Sequence, residues 1–486
     1  MGQVSQRAEP AAALPPIELF EAAARAVGDD AGHGLLDRTD TVAVVQIVSW
    51  PYPDPGAFVA RRLGIEPRRT VVSTVGGNSP QLLVNAMGQR ILDGDADVVL
   101  LGGGESMHTR WRARREPRTH LEWDSGGDPP CADVIGDDRS GVNDYETAHG
   151  AVAPTTVYPL FETALRGAAG RGVDEHQRAV SELWSTFAAV AAENPNAWSR
   201  TPYTAEQIRT VTPDNRMVCF PYPKLMCANI DVDQAAALLL CSYGTARDAG
   251  VGDDAIVFLH AGADGHDHFF VSERDTLCDA PGLGLVARDA LDAAGIGVGD
   301  LTRLDLYSCF PSAVQLAQRA LGLVGDTRPM TVTGGLGFAG GPVNNYPTHA
   351  IARTVELLRG DPDAFALTTA LGWYATKHSA GVWSASPPRE RFTRVPHERT
   401  QAKIDALPRR ETAGLVDGDM VVEASSVAVE RDGTPALAIV AGITNDGRRA
   451  LANSRDADLM RALMQDAWEG RKVRLTNDGT ANRVEA

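Results

Sequence analysis

The stretch Gly94-Asp-Ala-Asp-Val-Val-Leu-Leu-Gly-Gly-Gly-Glu-Ser-Met107 decides how the rest of the chain is read. Before it, Leu82, Leu83, Ala86, Met87 and Ile91 recur at helical spacing, and Gly94-Asp95 ends that helix. The run from Ala96 to Leu101 is apolar with little alternation, as in a strand covered on both faces of a parallel sheet. Three glycines and Glu105-Ser106 close it. Helix followed by buried strand is the unit of an α/β fold.

The same unit recurs upstream and downstream. An amphipathic helix is expected over 17–27, a buried strand over Thr41–Val48, a short helix near 55–63 and a strand over Thr70–Val75. Gly76-Gly-Asn-Ser-Pro80 then opens the helix quoted above, with Asn78 or Ser79 placed to cap it and Pro80 suited to its first turn. Far downstream, Met330–Thr333 reads as a strand, followed by a glycine-rich turn ending at Gly341-Pro342, a helix to Gly360-Asp361 and the strand Phe365–Leu371. Laying Gly94-Asp95 on Gly360-Asp361 sets Asn78 opposite Asn344, with segments of equal length between. These matches together indicate a duplicated unit. Between the copies, residues 105–229 form a long excursion with helices near 155–167 and 176–193. Such excursions usually cover a site. Regular alternation resumes with strands at Asp233–Cys241, Ala255–His260 and Arg303–Tyr307 and a helix near 283–294. Beyond about 387 a Pro/Arg-rich linker leads to a strand-rich tail with turns at Asp432-Gly433 and Asp446-Gly447 and one helix near 457–466.

Composition excludes several classes of function. The formal net charge of -17 would repel a nucleic acid or an anionic membrane over most of the surface. The six cysteines show no CxxC spacing, so neither a disulfide framework nor a structural zinc is expected, and a reducing, cytoplasmic setting fits. No apolar run approaches a membrane span, and the N-terminal residues lack the apolar core of a signal peptide.

Several motifs admit chemistry and a plainer reading side by side. Gly335-Leu-Gly-Phe-Ala-Gly340 matches GxGxxG, but the following strand ends without the acid that would hold a ribose, so a tight packed turn is expected. Gly76, Gly77, Asn78 and Ser79 lie at a helix N-terminus, where an oxyanion or thiolate is stabilised, yet no cysteine stands there and no GxSxG elbow exists. Cys309 and Tyr307 sit at a strand end, and Lys377-His378 follow the strand of the second copy. His266 and His268 lack a third metal ligand.

The quoted run closely resembles the thiolase signature that follows the nucleophile helix. Asn229–Leu239 resembles the point where the thiolase loop region rejoins its core. Gly334-Gly335 through Gly340-Gly341-Pro342 resembles the Gly-Gly…Gly-His-Pro box, and Tyr307-Ser-Cys-Phe310 the Asn-Glu-Ala-Phe or His-Asp-Cys-Phe box. The resemblance spans about 1–386 and is nearest to sterol-carrier-protein-x-type thiolase-like proteins. It implies a five-layer αβαβα core from two pseudo-repeats (1–256 with the insertion, then 257–386) and an extra β-rich, OB-like domain over 387–486. It also makes Gly2–Arg7 resemble the end of a first strand whose remainder is absent, so that either the true start lies upstream, which is the expectation, or the first sheet lacks a strand. The family's nucleophilic cysteine falls at Gly77, its histidine at Gly341, its second cysteine at Ala370, and the first residue of the third box at Tyr307. Every one of these catalytic groups is missing, and without a thiolate there is no covalent thioester. The resemblance therefore implies a thiolase-like protein of the acyl-CoA acyltransferase (acetyl-CoA acetyltransferase) class, set in lipid or sterol metabolism. It would hold CoA or acyl-CoA as ligand or substrate around Gly76, Asn78, Ser79 and Gly340, with no covalent cofactor and no metal. Two alternatives stand beside it. One is an acyltransferase or retro-aldol lyase using Tyr307, Cys309, Lys377 or His378. The other is a scaffold docking a partner enzyme through 387–486. A homodimer fits the family.

Overall fold

The computed structural model describes residues 1–32, 34–116 and 120–485. Two sheets sandwich a pair of helices, and further helices cover the outer faces. The first sheet runs in the order Gly2–Ser5, Asp233–Cys241, Val98–Ser106, Thr41–Val44, Arg69–Ser73, Val134–Ile135. The second runs Leu301–Asp305, Phe365–Gly372, Lys377–Ser384, Phe258–His266, Thr393–Arg394. Between them lie the inner helices Ser79–Asp93 and Tyr346–Arg359, while Pro16–Ala31 and Pro55–Leu63 cover the first sheet and Pro281–Ala294 the second. This is the five-layer core expected from the sequence.

The duplication is present in the topology. Counted from Gly2–Ser5, the first sheet's pairings run antiparallel, antiparallel, parallel. Counted from Phe258–His266, the second sheet repeats that series. The inner helices meet through Leu83, Val84, Met87, Ile351, Ala352 and Leu358, all buried in one cluster with residues of both sheets. The glycines of the quoted run serve close approach rather than turning. A Cβ on Gly104 would lie 2.6 Å from the Pro16 carbonyl, and one on Gly102 would strike the Ala236 carbonyl.

Two expectations are corrected. Met330–Thr333 forms no ladder strand; Leu306 N–H donates to the Met330 carbonyl, and then the Asp305 carboxylate captures the Thr331 hydroxyl (2.9 Å) and the Val332 amide (3.0 Å). A carboxylate that takes up backbone donors leaves none for a ladder. The strand expected over Thr41–Val48 stops at Val44. Gly2–Ser5 is itself a short strand, paired antiparallel with Ala237 to Gln234.

The C-terminal strands Gly418–Val429, Pro435–Thr444, Arg449–Ser454, Asn482–Val484 and Lys472–Asn477 close on themselves into a five-stranded barrel, because Gly418–Val429 pairs with both Pro435–Thr444 and Lys472–Asn477. The helix Ala457–Gln465 packs on it. Met217–Phe220, from the long excursion, extends the barrel sheet through Val427 and Ala428, so excursion and tail share one sheet. Among the described residues no helix is long and apolar enough to cross a membrane.

His349 lies in the first turn of the second inner helix, fully buried, with Nδ1–H donating to Gln3 Oε1 (2.8 Å). Burial holds its pKa down at about 3. The stability carried by the neutral ring is fully present above about pH 6.5 and is lost as pH falls toward 3, by about 1.4 kcal/mol per unit at most. His349→Leu is therefore expected to flatten the fall in urea midpoint between about pH 7 and about pH 5. Parallel falls in parent and variant would contradict this.

Candidate functional site

The two inner helices begin side by side, and their glycine turns make one centre. Asn344, the counterpart of Asn78, accepts from the Gly76 amide (3.0 Å) and donates to the Gln46 carbonyl (2.8 Å). The duplicated asparagine thus fastens one half to the other. Its position opposite Asn78 is legible from the repeat, whereas its role is not. Asn78 and Ser79 do not cap their helix with their side chains. Ser79 Oγ instead donates to the Thr74 carbonyl (2.8 Å), and Asn78 Oδ1 is buried without a partner.

At Gly77 the space for a side chain is already filled. A Cβ there would run into the Tyr307 hydroxyl and lie 2.5 Å from the Leu371 carbonyl. Tyr307 is buried, packs edge-on against Tyr346 at 5.6 Å, and burial raises its pKa well above 10. No hydrogen bond to its hydroxyl is found among the described residues, and burial keeps the phenol neutral. Lys377 reaches the same turn, donating to the Val75 (2.7 Å) and Asp137 (2.8 Å) carbonyls, with burial lowering its pKa. A Cβ on Gly76 would sit 3.0 Å from Lys377 Nζ and 2.5 Å from Asn78 Oδ1, which is why glycine occupies that position.

The second glycine turn is similarly filled. Gln234 covers the second glycine turn: its amide donates to the Ala339 carbonyl (3.1 Å), and a Cβ on Gly340 would strike its oxygen. Gly341 N–H donates to the Asn229 carbonyl (2.9 Å). Ala370 is fully buried within its strand, opposite Ser379. Gln234 and Asn229 were not legible as site residues, because they lie more than 100 positions from the turn they cover.

One sequence candidate is not brought to the centre, and a second lies near Tyr307 but buried and neutral. His378 is the strand neighbour of Lys377 and faces the other way, its Nε2–H donating to Asp267 Oδ2 (2.9 Å). Cys309 is buried beside Tyr158 and Phe310, which stack at 4.7 Å, and burial pushes its thiol up to about 12. It is no thiolate at neutral pH. His266 and His268 point to separate partners, and among the described residues no group of His, Cys, Asp or Glu is arranged to hold a metal.

Backbone strain gathers at this centre. Val343 (φ 46°), Trp373 (φ 57°) and Ala375 (φ 51°) are the non-glycine residues with positive φ among those described; Val343 follows the Gly341 turn, and Trp373 and Ala375 lie in the loop of the Gly372–Lys377 hairpin. Such strain persists where the surroundings over-determine it, commonly at ligand sites. Trp373 Nε1 is another buried polar atom without a partner.

Comparison with known proteins agrees with this architecture. The crystal structure of a monomeric SCP2-thiolase-like protein type 1 from Mycobacterium smegmatis is 33% identical, with a TM-score of 0.84 over 100% of this chain and 97% of that one. The chain belongs to the SCP2-thiolase-like protein type 1 family. The additional C-terminal domain of thiolase-like protein type 1 matches residues 400–480, which covers most of the barrel. Human mitochondrial 3-ketoacyl-CoA thiolase shares the fold at 18% identity and a TM-score of 0.55, covering 77% of this chain and 94% of that one. An acetyl-CoA acetyltransferase of Methanothermobacter thermautotrophicus is 29% identical over 187 residues, 35% of this chain. The match spans 47% of that curated relative, about half its length.

Proposed function

We propose that this thiolase-like protein binds a CoA thioester, in lipid or sterol metabolism in the cytosol, without performing thiolysis. The observation that supports the reading is that a Cβ on Gly77, the position the resemblance aligns with the family's nucleophile, would meet the Tyr307 hydroxyl, while the aligned Gly341 and Ala370 carry no functional side chain. Removing every member of a catalytic set removes the mechanism rather than slowing it. Ligand binding is supported by the unpaired Asn78 Oδ1 and Trp373 Nε1 and by the strained residues beside them. A buried polar atom left unpaired costs about 1–3 kcal/mol, which a thioester carbonyl or its amide tail would offset. A related fold has been crystallised with CoA, the human mitochondrial 3-ketoacyl-CoA thiolase.

Calorimetric titration with CoA, acetyl-CoA and a long-chain acyl-CoA, beside a thiolysis assay, tests this. Saturable binding without turnover is expected; failure of all three ligands to bind sinks the proposal. A second reading rests on Tyr307 alone. A neutral phenol with no protein partner among the described residues suits a retro-aldol step on a β-hydroxyacyl-CoA: the Cα–Cβ bond breaks to release an aldehyde, the enolate takes the phenol's proton, and the β-hydroxyl proton returns to the phenolate oxygen. One structural neighbour is an Ltp2-ChsH2(DUF35) aldolase, 18% identical with a TM-score of 0.58. Its paired composition also suits docking of a partner enzyme on residues 387–486. Cleavage activity abolished by Tyr307→Phe would move the assignment to this second reading.

A further inference from the structure

The strained loop at the centre, residues 373–376, joins the strands Phe365–Gly372 and Lys377–Ser384. Those strands bring the Leu371 carbonyl to Gly77 and Lys377 to the Gly76 turn. Positive φ at Trp373 and Ala375 is unfavourable for residues with side chains, so the loop keeps its shape only while its surroundings impose it. Three groups do so. The Tyr158 hydroxyl donates to the Trp373 carbonyl (2.9 Å) and accepts from the Ala375 amide (3.2 Å). The Asp267 amide donates to the Thr376 carbonyl (2.9 Å). Arg274, a buried residue, donates from Nη1 to the Tyr374 carbonyl (2.7 Å) and from Nη2 to the Thr376 hydroxyl (2.8 Å), while its Nε–H reaches the His268 carbonyl (3.3 Å). A planar guanidinium engaged through all three nitrogens is fixed in one orientation.

Arg274 is itself held from the other side, by the barrel. Its carbonyl accepts from Arg449, and the Asp275 carbonyl accepts from the same guanidinium (3.1 Å). The Leu277 amide donates to Glu423 (3.1 Å). Segment 274–277 therefore lies between barrel and loop, its backbone bound by Arg449 and Glu423 and the Arg274 side chain bound to Tyr374 and Thr376. Every link is a hydrogen bond between groups that are at least half buried, where a lost partner is costly. The Arg166–Glu469 pair (2.7 and 3.2 Å) also joins core to barrel, but neither side chain bonds segment 274–277 or the loop.

We propose that Arg274 is a positioning residue for the centre and that the C-terminal barrel sets it. A barrel seated on segment 274–277 keeps Lys377 and the Leu371 carbonyl against the Gly76-Gly77 turn, and a displaced barrel lets them withdraw. This concerns the shape of the centre and holds whether its ligand is a CoA thioester or another molecule.

The test is lysine acetylation of the full chain with N-hydroxysuccinimidyl acetate under native conditions, mapped by mass spectrometry. Lys377 is 4% exposed, whereas Lys224 and Lys472 are exposed and serve as references, so no ligand is needed for the readout. In the parent, Lys377 should react far more slowly than either reference. Arg274→Met should speed Lys377 by at least about tenfold, as loss of a charge-assisted hold implies, with the references unchanged. Arg274→Lys, which keeps the charge but not the fork, should fall between. Arg449→Met combined with Glu423→Leu separates positioning from stability. An apolar pair no longer strands a charge, so the fold is largely recovered, yet nothing holds the Arg274 carbonyl and Lys377 should stay fast. Arg166→Met loosens the barrel elsewhere and should leave Lys377 slow. Lys377 as slow as in the parent in either Arg274→Met or the double variant overturns the proposal. Lys377 sped as much by Arg166→Met as by the double variant overturns it equally.

Discussion

Gly77→Cys is expected to lower stability by about 1–3 kcal/mol and to create no thiolase. The new Cβ collides with the Tyr307 hydroxyl and lies 2.7 Å from Tyr307 Cζ and 2.5 Å from the Leu371 carbonyl. Two of these contacts belong to a side chain and one to the backbone, which sets the result of the double variant. Tyr307→Ala alone leaves a hole among Tyr346 and its neighbours and costs about 3–5 kcal/mol. Combined with Gly77→Cys it removes the phenol but not the carbonyl. The pair should therefore be less destabilised than the sum by about 1–2 kcal/mol, and still short of additive relief. The thiol, placed at a helix N-terminus near Lys377, is well situated to ionise, so reaction with a disulfide reagent should be rapid in the double variant. Turnover of acetoacetyl-CoA should stay at background in both, because Gly341 and Ala370 supply neither the base nor the second acid. A Gly77→Cys protein as stable as its parent, or one that thiolyses, refutes the filled-site argument.

What the sequence disclosed and what it concealed divide along the range of the interactions. Buried strands and inner helices are local patterns, and both were legible, as was the alignment of Asn78 on Asn344. Met330–Thr333 failed because its β-branched residues favour a strand only until Asp305, 26 positions upstream of Thr331, takes up their donors. Gln234 and the barrel strand Met217–Phe220 act on partners more than 100 residues away, which no window of sequence reveals. Successive strand residues face opposite sides, so Lys377 and His378 could never both reach the Gly76 turn. Trp373 and Ala375 gave no signal, since strain of this kind depends on what the rest of the fold imposes on a tight hairpin.

Arg449→Met is expected to release the barrel from the core. Arg449 belongs to the barrel strand Arg449–Ser454 and is fully buried. It forms two hydrogen bonds of 2.9 Å to Glu423 and donates to the Asp275 carbonyl (3.1 Å) and to the Arg274 carbonyl, both in the core. Glu423 in turn accepts from the Leu277 amide (3.1 Å). One guanidinium thus neutralises a barrel carboxylate while clamping a core turn, and its removal leaves a mostly buried carboxylate and two carbonyls unpaired. Loss of one partner of a buried pair costs about 3–5 kcal/mol. Arg166, bound to Glu469 at 2.7 and 3.2 Å, makes the converse link from core to barrel and should still hold part of the interface. The expected outcome is an early barrel transition in urea, ahead of the core. It can be followed by Trp468, the only tryptophan beyond residue 387, with Trp468→Phe as the blank. Adding Glu423→Leu to Arg449→Met should recover much of the loss, because an apolar pair no longer strands a charge. A single unchanged transition in Arg449→Met would show that the barrel is held mainly by its apolar contacts and by the Arg166 link.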